Sequence, residues 1–214
     1  MLTPRDEAAE KPAREGSGDV ALPSVDDARF YAYVALLAKW NRVYNLTSIR
    51  DPEPMRVHHV NDALAVLPHL PSREGLRVLD VGSGGGSPGI PLAIARPEWQ
   101  VVLLDRQDKK GAFLRQAAIE LALANVEVVT ARVERYVASQ PFDVVIARAF
   151  SDLPTFVDLA ARHVAPDGRL VAMKGVLPAA EIAALPASVR VIACPQLDVP
   201  GLRALRHLVI LECT

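Results

Sequence analysis

The chain has 214 residues, half of them apolar and 5% aromatic, with a formal net charge of −1. That size suits one domain with a short extension, and the near-zero charge excludes the overall basic signature of a general nucleic-acid binder while leaving room for a local basic face. Two cysteines, Cys194 and Cys213, give neither a disulfide framework nor metal-ligand spacing, and no apolar run approaches the roughly 20 residues of a membrane span, so a reduced, cytoplasmic protein without metal or membrane partner is expected.

Residues 1–23, rich in Ala, Glu, Pro and Gly, read as a disordered leader. Ser24 followed by Asp27 resembles a helix start with an acid in the first turn. Phe30, Val34, Leu37 and Tyr44, joined by Tyr33 and Trp40, recur at roughly helical spacing. Asp51-Pro52 opens a second helix, Met55 to about Leu67, which Pro68 and Pro71 close. Residues 24–74 are therefore expected to form a helical region ahead of a domain over 75–214.

Residues 76–89 change the pattern. Leu76-Arg77-Val78-Leu79-Asp80-Val81 is an apolar run carrying an acid, and it opens into Gly82-Ser83-Gly84-Gly85-Gly86-Ser87-Pro88-Gly89. Pro88 stands where a helix would begin. Gly84 to Gly89 fits the G-x-G-x-x-G dinucleotide fingerprint. Asp80 argues against that reading, because a carboxylate ahead of the glycines repels a pyrophosphate. It suits a ligand with an ammonium group near the loop, such as the methionine part of S-adenosylmethionine. The next strand ends in Asp105, about 20 residues on, where a carboxylate can accept both hydroxyls of a ribose. A bare strand-to-helix turn, with Asp105 only capping a helix, is the competing account.

Strand-like runs follow at 77–81, 100–105, 126–130, 143–147, 169–173, 189–193 and 207–212, with helical stretches at 88–96, 107–123, 133–138 and 153–164. Such alternation implies right-handed βαβ units and a parallel sheet. The last two strands are separated by Pro195, Pro200 and Gly201, and so should pair antiparallel at the sheet edge. The expected fold is α/β and Rossmann-like, a seven-stranded, mostly parallel sheet with an antiparallel C-terminal pair, as in class I S-adenosylmethionine-dependent methyltransferases. Arg148 and Lys174 end two neighbouring strands on the ligand-binding edge. They are the candidate catalytic residues, unless they are simple solvated charges.

From about Leu36 to Gly175 the chain resembles the bacterial small-subunit ribosomal RNA guanine-N7 methyltransferases, the glucose-inhibited division protein B family. The resemblance rests on Lys39-Trp40-Asn41 with Tyr44-Asn45-Leu46-Thr47, on His59 with Asp62, and on Asp80 to Gly89. It extends through Leu103-Leu104-Asp105, Phe113-Leu114, Arg132-Val133-Glu134, Phe142-Asp143-Val144-Val145 with Arg148-Ala149-Phe150, and Met173-Lys174-Gly175. Departures are His58, Asn61 and Ala63, where the family often has Arg, Leu and Ser.

The resemblance implies methyl transfer from S-adenosylmethionine to N7 of a guanine in 16S ribosomal RNA, in the 530 loop near the decoding site, on free RNA or an assembling small subunit, by a monomer. It implies a cofactor site of Gly82, Ser87, Asp105, Val133, Glu134 and Arg148, to which Asp80, Gly84 and Gly86 of the loop and Arg106 and Gln107 beside the ribose acid are added. Asn45, Thr47, His59, Asp62 and Lys174 are the candidate RNA-facing residues. Methylation of another RNA or base position, and a dinucleotide-dependent oxidoreductase, are the alternatives.

Overall fold

The computed structural model describes residues 27–214. The leader expected over 1–23 and the helix start expected at Ser24 lie outside the described residues. Asp27 is itself the helix cap: its Oδ1 accepts from the Arg29 amide at 2.8 Å. Helix α1 (Ala28–Tyr44) ends at Asn45, whose left-handed φ of 48° lets its amide donate back to Asn41. Phe30, Tyr33 and Leu37 are fully buried, each contributing roughly 1.5–3 kcal/mol, so α1 is anchored to the domain behind it.

The second helix begins as expected, with Pro52 at its first position, but it is not regular. Short α2 (Pro52–Met55) passes into a π-helical segment (Arg56–Asn61) and then α3 (Asp62–Leu64). Such wide turns recur at functional sites. Here the turn coincides with a polar interior, for His59, Asn61 and Asp62 are all buried. Pro68 falls in a separate 3-10 turn, Leu67–His69.

Then come β1 (Arg77–Val81), α4 (Gly89–Ala95), β2 (Gln100–Asp105), α5 (Asp108–Glu120), β3 (Val126–Thr130), β4 (Phe142–Arg148), α6 (Leu153–Ala160), β5 (Val164–Lys174), α7 (Ala179–Ala183), β6 (Val189–Ala193) and β7 (His207–Cys213). The sheet order is β3-β2-β1-β4-β5-β7-β6. The chain reverses its winding between β1 and β4, so the C-terminal ends of those strands form the crevice where open α/β sheets bind ligands. One face of the sheet packs with α1, α4 and α5, the other with α6.

Three local expectations change. The helix expected over 133–138 is a single 3-10 turn, Val133–Arg135. Tyr136 is already extended, its ring turned toward Phe142 and His163 (centroids 6.5 and 5.5 Å), and a stretch this short cannot offset helix nucleation. Strand β5 is longer than 169–173, because Pro166-Asp167-Gly168, which reads as a turn, bulges within it: Phe142 pairs Val164, then Val144 pairs Arg169. The C-terminal strands do pair antiparallel, yet β7 lies inside, between β5 and β6. Leu208, Val209, Ile210 and Leu211 are buried whereas Ile192 of β6 is exposed, so the more apolar strand takes the inner place.

Candidate active site

At the crevice a cleft of about 430 Å³ opens beside the C-terminal ends of β1 to β4. Gly82, Asp105, Arg106, Gln107, Val133 and Glu134 line it, together with Lys110, Arg132, Ala149 and Phe150. The Gly82 and Ser83 amides donate to Leu104 O at 2.8 and 3.1 Å, pinning the glycine loop to β2. Gly82 has φ of 74°, and a Cβ there would lie 2.9 Å from the Phe150 ring, so only glycine lets that ring close over the loop.

Asp105 is 5% exposed. Its Oδ2 accepts from the Gly84 amide at 3.0 Å, its Oδ1 from the Gln107 amide at 2.9 Å, and Lys110 Nζ stands 3.6 Å from Oδ2. Two lone pairs remain on the carboxylate for further donors.

Asp80 lies beneath the loop rather than in the cleft. Its Oδ2 accepts from the Gly89 amide at 3.0 Å, and its Oδ1 is buried without a partner. Burial pushes its carboxyl up to about 7, only partly offset by the Gly89 bond. Gly86 and Ser87 face the protein interior: a Cβ on Gly86 would meet Ile90 at 2.4 Å, and Ser87 Oγ donates to His59 O at 2.9 Å. Gly89 is as tightly enclosed, since a Cβ would stand 2.2 Å from Leu103 and 2.8 Å from Asp80 Oδ2. Gly89→Ala is expected to cost about 1–3 kcal/mol by overpacking. A urea titration should show a lower midpoint, and an unchanged midpoint would mean that the loop yields without cost.

Arg148 ends β4 but reaches back to the π segment. It donates through Nη1 to His58 O and to Asp62 Oδ2 (3.3 Å), and through Nη2 to His59 Nδ1 (2.9 Å). Because a guanidinium only donates, Nδ1 is the acceptor and the His59 proton sits on Nε2, which donates to Thr47 Oγ1 at 3.2 Å. Burial and the neighbouring Arg148 push the His59 imidazole down to about 3. Asp62, fully buried, also takes Arg206 Nε at 3.0 Å. Thus His59, Asp62, Ser87 and Arg148 form one interlocked cluster that ties the π segment to the glycine loop and to β4.

Lys174 stands apart, donating to Ser151 O and Glu181 Oε2, both at 2.8 Å. Asn45 is exposed on the loop after α1 and accepts from Arg50 at 3.2 Å. Thr47 donates its amide to Asn41 Oδ1 at 2.9 Å. Sequence reasoning passed over Phe150, Lys110 and Arg206 as site residues. Phe150 sits two residues beyond the end of β4, where cleft-facing groups gather; nothing local marks Arg206.

Asp80 and His59 act oppositely on stability. Asp80 rises from 3.8 to about 7 on folding, so its contribution is largest at low pH and is lost as pH climbs through about 7. His59 falls from 6.5 to about 3, so its contribution is present above 6.5 and is lost as pH drops toward 3. Between about 4 and 6.5 the two slopes cancel. In Asp80→Asn the His59 slope stands alone, so acidification across that window should destabilise the variant by up to about 1.4 kcal/mol per pH unit more than the parent. Parallel denaturation curves at pH 4.5 and 6.5 check this; equal pH dependence in both proteins would contradict it.

A family model described as rRNA small subunit methyltransferase G matches residues 26–209. The chain belongs to that family. It is 52% identical over 200 residues to a relative named Ribosomal RNA small subunit methyltransferase G from Nitrosospira multiformis, covering 90% of this chain and 91% of the relative. A relative of the same name from Chromobacterium violaceum is 56% identical over 177 residues, covering 83% and 84%. Among solved structures, a SAM dependent methyltransferase from Aquifex aeolicus superposes with a TM-score of 0.58 at 19% identity, covering 82% of this chain and 97% of that one, which shows the shared fold. Membership sets the class as methyltransferase and removes the dinucleotide oxidoreductase alternative. Among the described residues no group of His, Cys, Asp and Glu is placed to hold a metal, and no helix is long and apolar enough to cross a membrane.

Proposed function

We propose that this chain transfers a methyl group from S-adenosylmethionine to N7 of a guanine in 16S ribosomal RNA, in the 530 loop near the decoding site. The observation that carries the cofactor reading is the cleft with Asp105 at its wall and Phe150 closing over Gly82. Asp105 would accept the ribose hydroxyls, Val133 and Glu134 would border the adenine, and Gly82 with Gly84 would let the backbone approach closely. Asp80 acts from beneath, holding the loop through the Gly89 amide rather than meeting the ligand directly.

S-adenosylmethionine supplies a methyl group activated by its sulfonium. Guanine N7 offers a lone pair and carries no proton, so no general base is needed; the protein must align the partners at about 3–3.5 Å and exclude water. The chain's residues agree with that demand. Cys213 ends β7 at the opposite edge from the cleft, and Cys194 follows the edge strand β6, so neither is placed as a nucleophile for pyrimidine carbon methylation. After β4 the chain reads Ala149-Phe150-Ser151, with no amine-methylating Asn/Asp-Pro-Pro-aromatic motif. Arginine grips guanine through O6 and N7 together, which would occupy the attacking lone pair. Arg148 is spent on His58, His59 and Asp62, and Lys174 on Ser151 and Glu181, so neither is free to grip the base in that way.

We read residues 75–214 as the catalytic domain and 24–74 as the region that shapes its substrate side, in a monomeric cytoplasmic protein acting on RNA or the assembling subunit. Reduction and aniline treatment cleave RNA at 7-methylguanine. After incubation with this chain and S-adenosylmethionine, 16S RNA should be cut at one guanine of the 530 loop. Absence of a cut there, with methyl incorporated elsewhere, would overturn the site assignment.

A further inference from the structure

The tip of the glycine loop is held from outside the sheet. Tyr33 of α1, fully buried, donates its hydroxyl to Gly85 O at 2.6 Å, across 52 residues of sequence. Burial raises the phenol well above its ordinary range, so it stays protonated and remains a donor. Leu37, one turn along α1, backs the same point: its Cδ1 lies 3.3 Å from where a Cβ on Gly85 would be. Gly85 is buried, whereas Gly82, which lines the cleft, and Gly84, which is bonded to Asp105, are partly exposed.

The peptide joining Gly85 to Gly86 is fixed at both ends. Its carbonyl accepts from Tyr33, and its N–H, the Gly86 amide, donates to Ser83 O at 2.7 Å. Glycine on either side makes rotation of that peptide cheap: Gly86 already sits at φ of 90°, and neither residue has a Cβ to resist the turn. Ahead of it the Gly84 amide must reach Asp105 Oδ2 at 3.0 Å, and behind it the Ile90 amide, in the first turn of α4, donates to Gly86 O at 2.7 Å. Without the hydroxyl, Gly85 O is buried with no donor among the described residues. A buried carbonyl in that state favours turning toward another donor, which would draw Gly84 away from Asp105.

We infer that Tyr33 is a positioning residue for the cofactor site, setting the Gly84–Gly86 backbone from behind so that Gly84 and Asp105 are aligned before the ligand arrives. The inference rests on the cofactor cleft proposed above. It gives α1 a part in cofactor binding, although none of its residues lines the cleft. Such preorganisation acts on affinity, because a loop already in its bound shape need not be ordered when the ligand binds.

The test measures S-adenosylmethionine affinity by titration calorimetry in the full chain, in Tyr33→Phe and in Leu123→Ala. Tyr33→Phe removes only the hydroxyl and keeps the ring in the core. Its affinity should fall about tenfold, the size of one hydrogen bond. In the unliganded variant the Gly86 amide should exchange with solvent about tenfold faster, and bound S-adenosylmethionine should restore its protection. Leu123 is buried just ahead of β3, at the end of the strands away from the cleft. Leu123→Ala should lower the unfolding temperature and leave both affinity and Gly86 exchange unchanged. Unchanged affinity in Tyr33→Phe would overturn the assignment. So would an equal loss of affinity in both variants, which would make the effect one of general stability. Asp105→Ala checks the cleft separately: full affinity there, with a loss in Tyr33→Phe, would contradict the ribose assignment and leave the role of Tyr33 standing.

Discussion

Replacing Asp62 by alanine is expected to cost about 3 kcal/mol and to lower the thermal midpoint by roughly 6–12 °C. Asp62 is fully buried and holds Arg148 and Arg206, whose side chains keep 23% and 21% of their surface exposed. Bringing these charges together cost desolvation when the fold formed, so the pair need not add much net stability over an apolar substitute. Removing only the anion is different, because two guanidinium groups lose their shared counter-charge. Their partial exposure lets water soften the loss, which sets the value at the low end of the usual range. Asp62→Asn, which keeps an acceptor but no charge, should fall between the two. A double-mutant cycle of Asp62→Ala with Arg206→Ala should show a coupling well above the few tenths of a kcal/mol of independent sites. Additive effects would mean that the ion pairs contribute nothing specific.

This cluster also changes what Arg148→Ala is expected to do. As a strand-end charge it would be replaced without harm to the fold. With bonds to His58, His59 and Asp62, its loss unfastens the π segment from β4 just before Ala149, a non-glycine residue at φ of 52°, and Phe150 over the cleft. Lower activity in that variant should therefore come with lower stability.

Asp105→Ala is expected to weaken S-adenosylmethionine binding by ten- to a hundredfold. Hydrogen bonds to a charged acceptor contribute roughly 1.5–3 kcal/mol each, and 1.4 kcal/mol is a factor of ten. The same carboxylate holds the Gly84 and Gln107 amides, so the alanine variant loses the shape of the loop together with the acceptor. Asp105→Asn retains one carbonyl oxygen for the Gly84 amide and should lose less. Titration calorimetry on both variants separates the two effects; undiminished affinity in Asp105→Ala would sink the ribose assignment.

Much of the fold was legible because it is local. Strand and helix periods between 77 and 148 are strong, and the Asp80–glycine–Asp105 order marks the crevice. The misread stretches are those where tertiary contacts override local signals. Tyr136 turns to Phe142 and His163 instead of continuing a helix, and Pro166-Asp167-Gly168 bulges inside a strand. The site divides in the same way. Gly82, Asp105, Arg106, Gln107, Val133 and Glu134 follow strand ends in sequence and meet at the cleft. The mutual bonding of His59, Asp62 and Arg148 spans more than 80 residues and leaves no spacing signal; resemblance supplied the residues but not their attachment to one another.

The central claim is methyl transfer to guanine N7 of small-subunit RNA. Its most direct test is incubation of the purified chain with methyl-labelled S-adenosylmethionine and 16S RNA or small subunits lacking the modification, followed by complete digestion to nucleosides. The label should appear in 7-methylguanosine, and Asp105→Ala should reduce it at limiting cofactor. Label in 5-methylcytidine or an exocyclic N-methyl nucleoside would contradict the account of the chemistry while leaving the cofactor site standing.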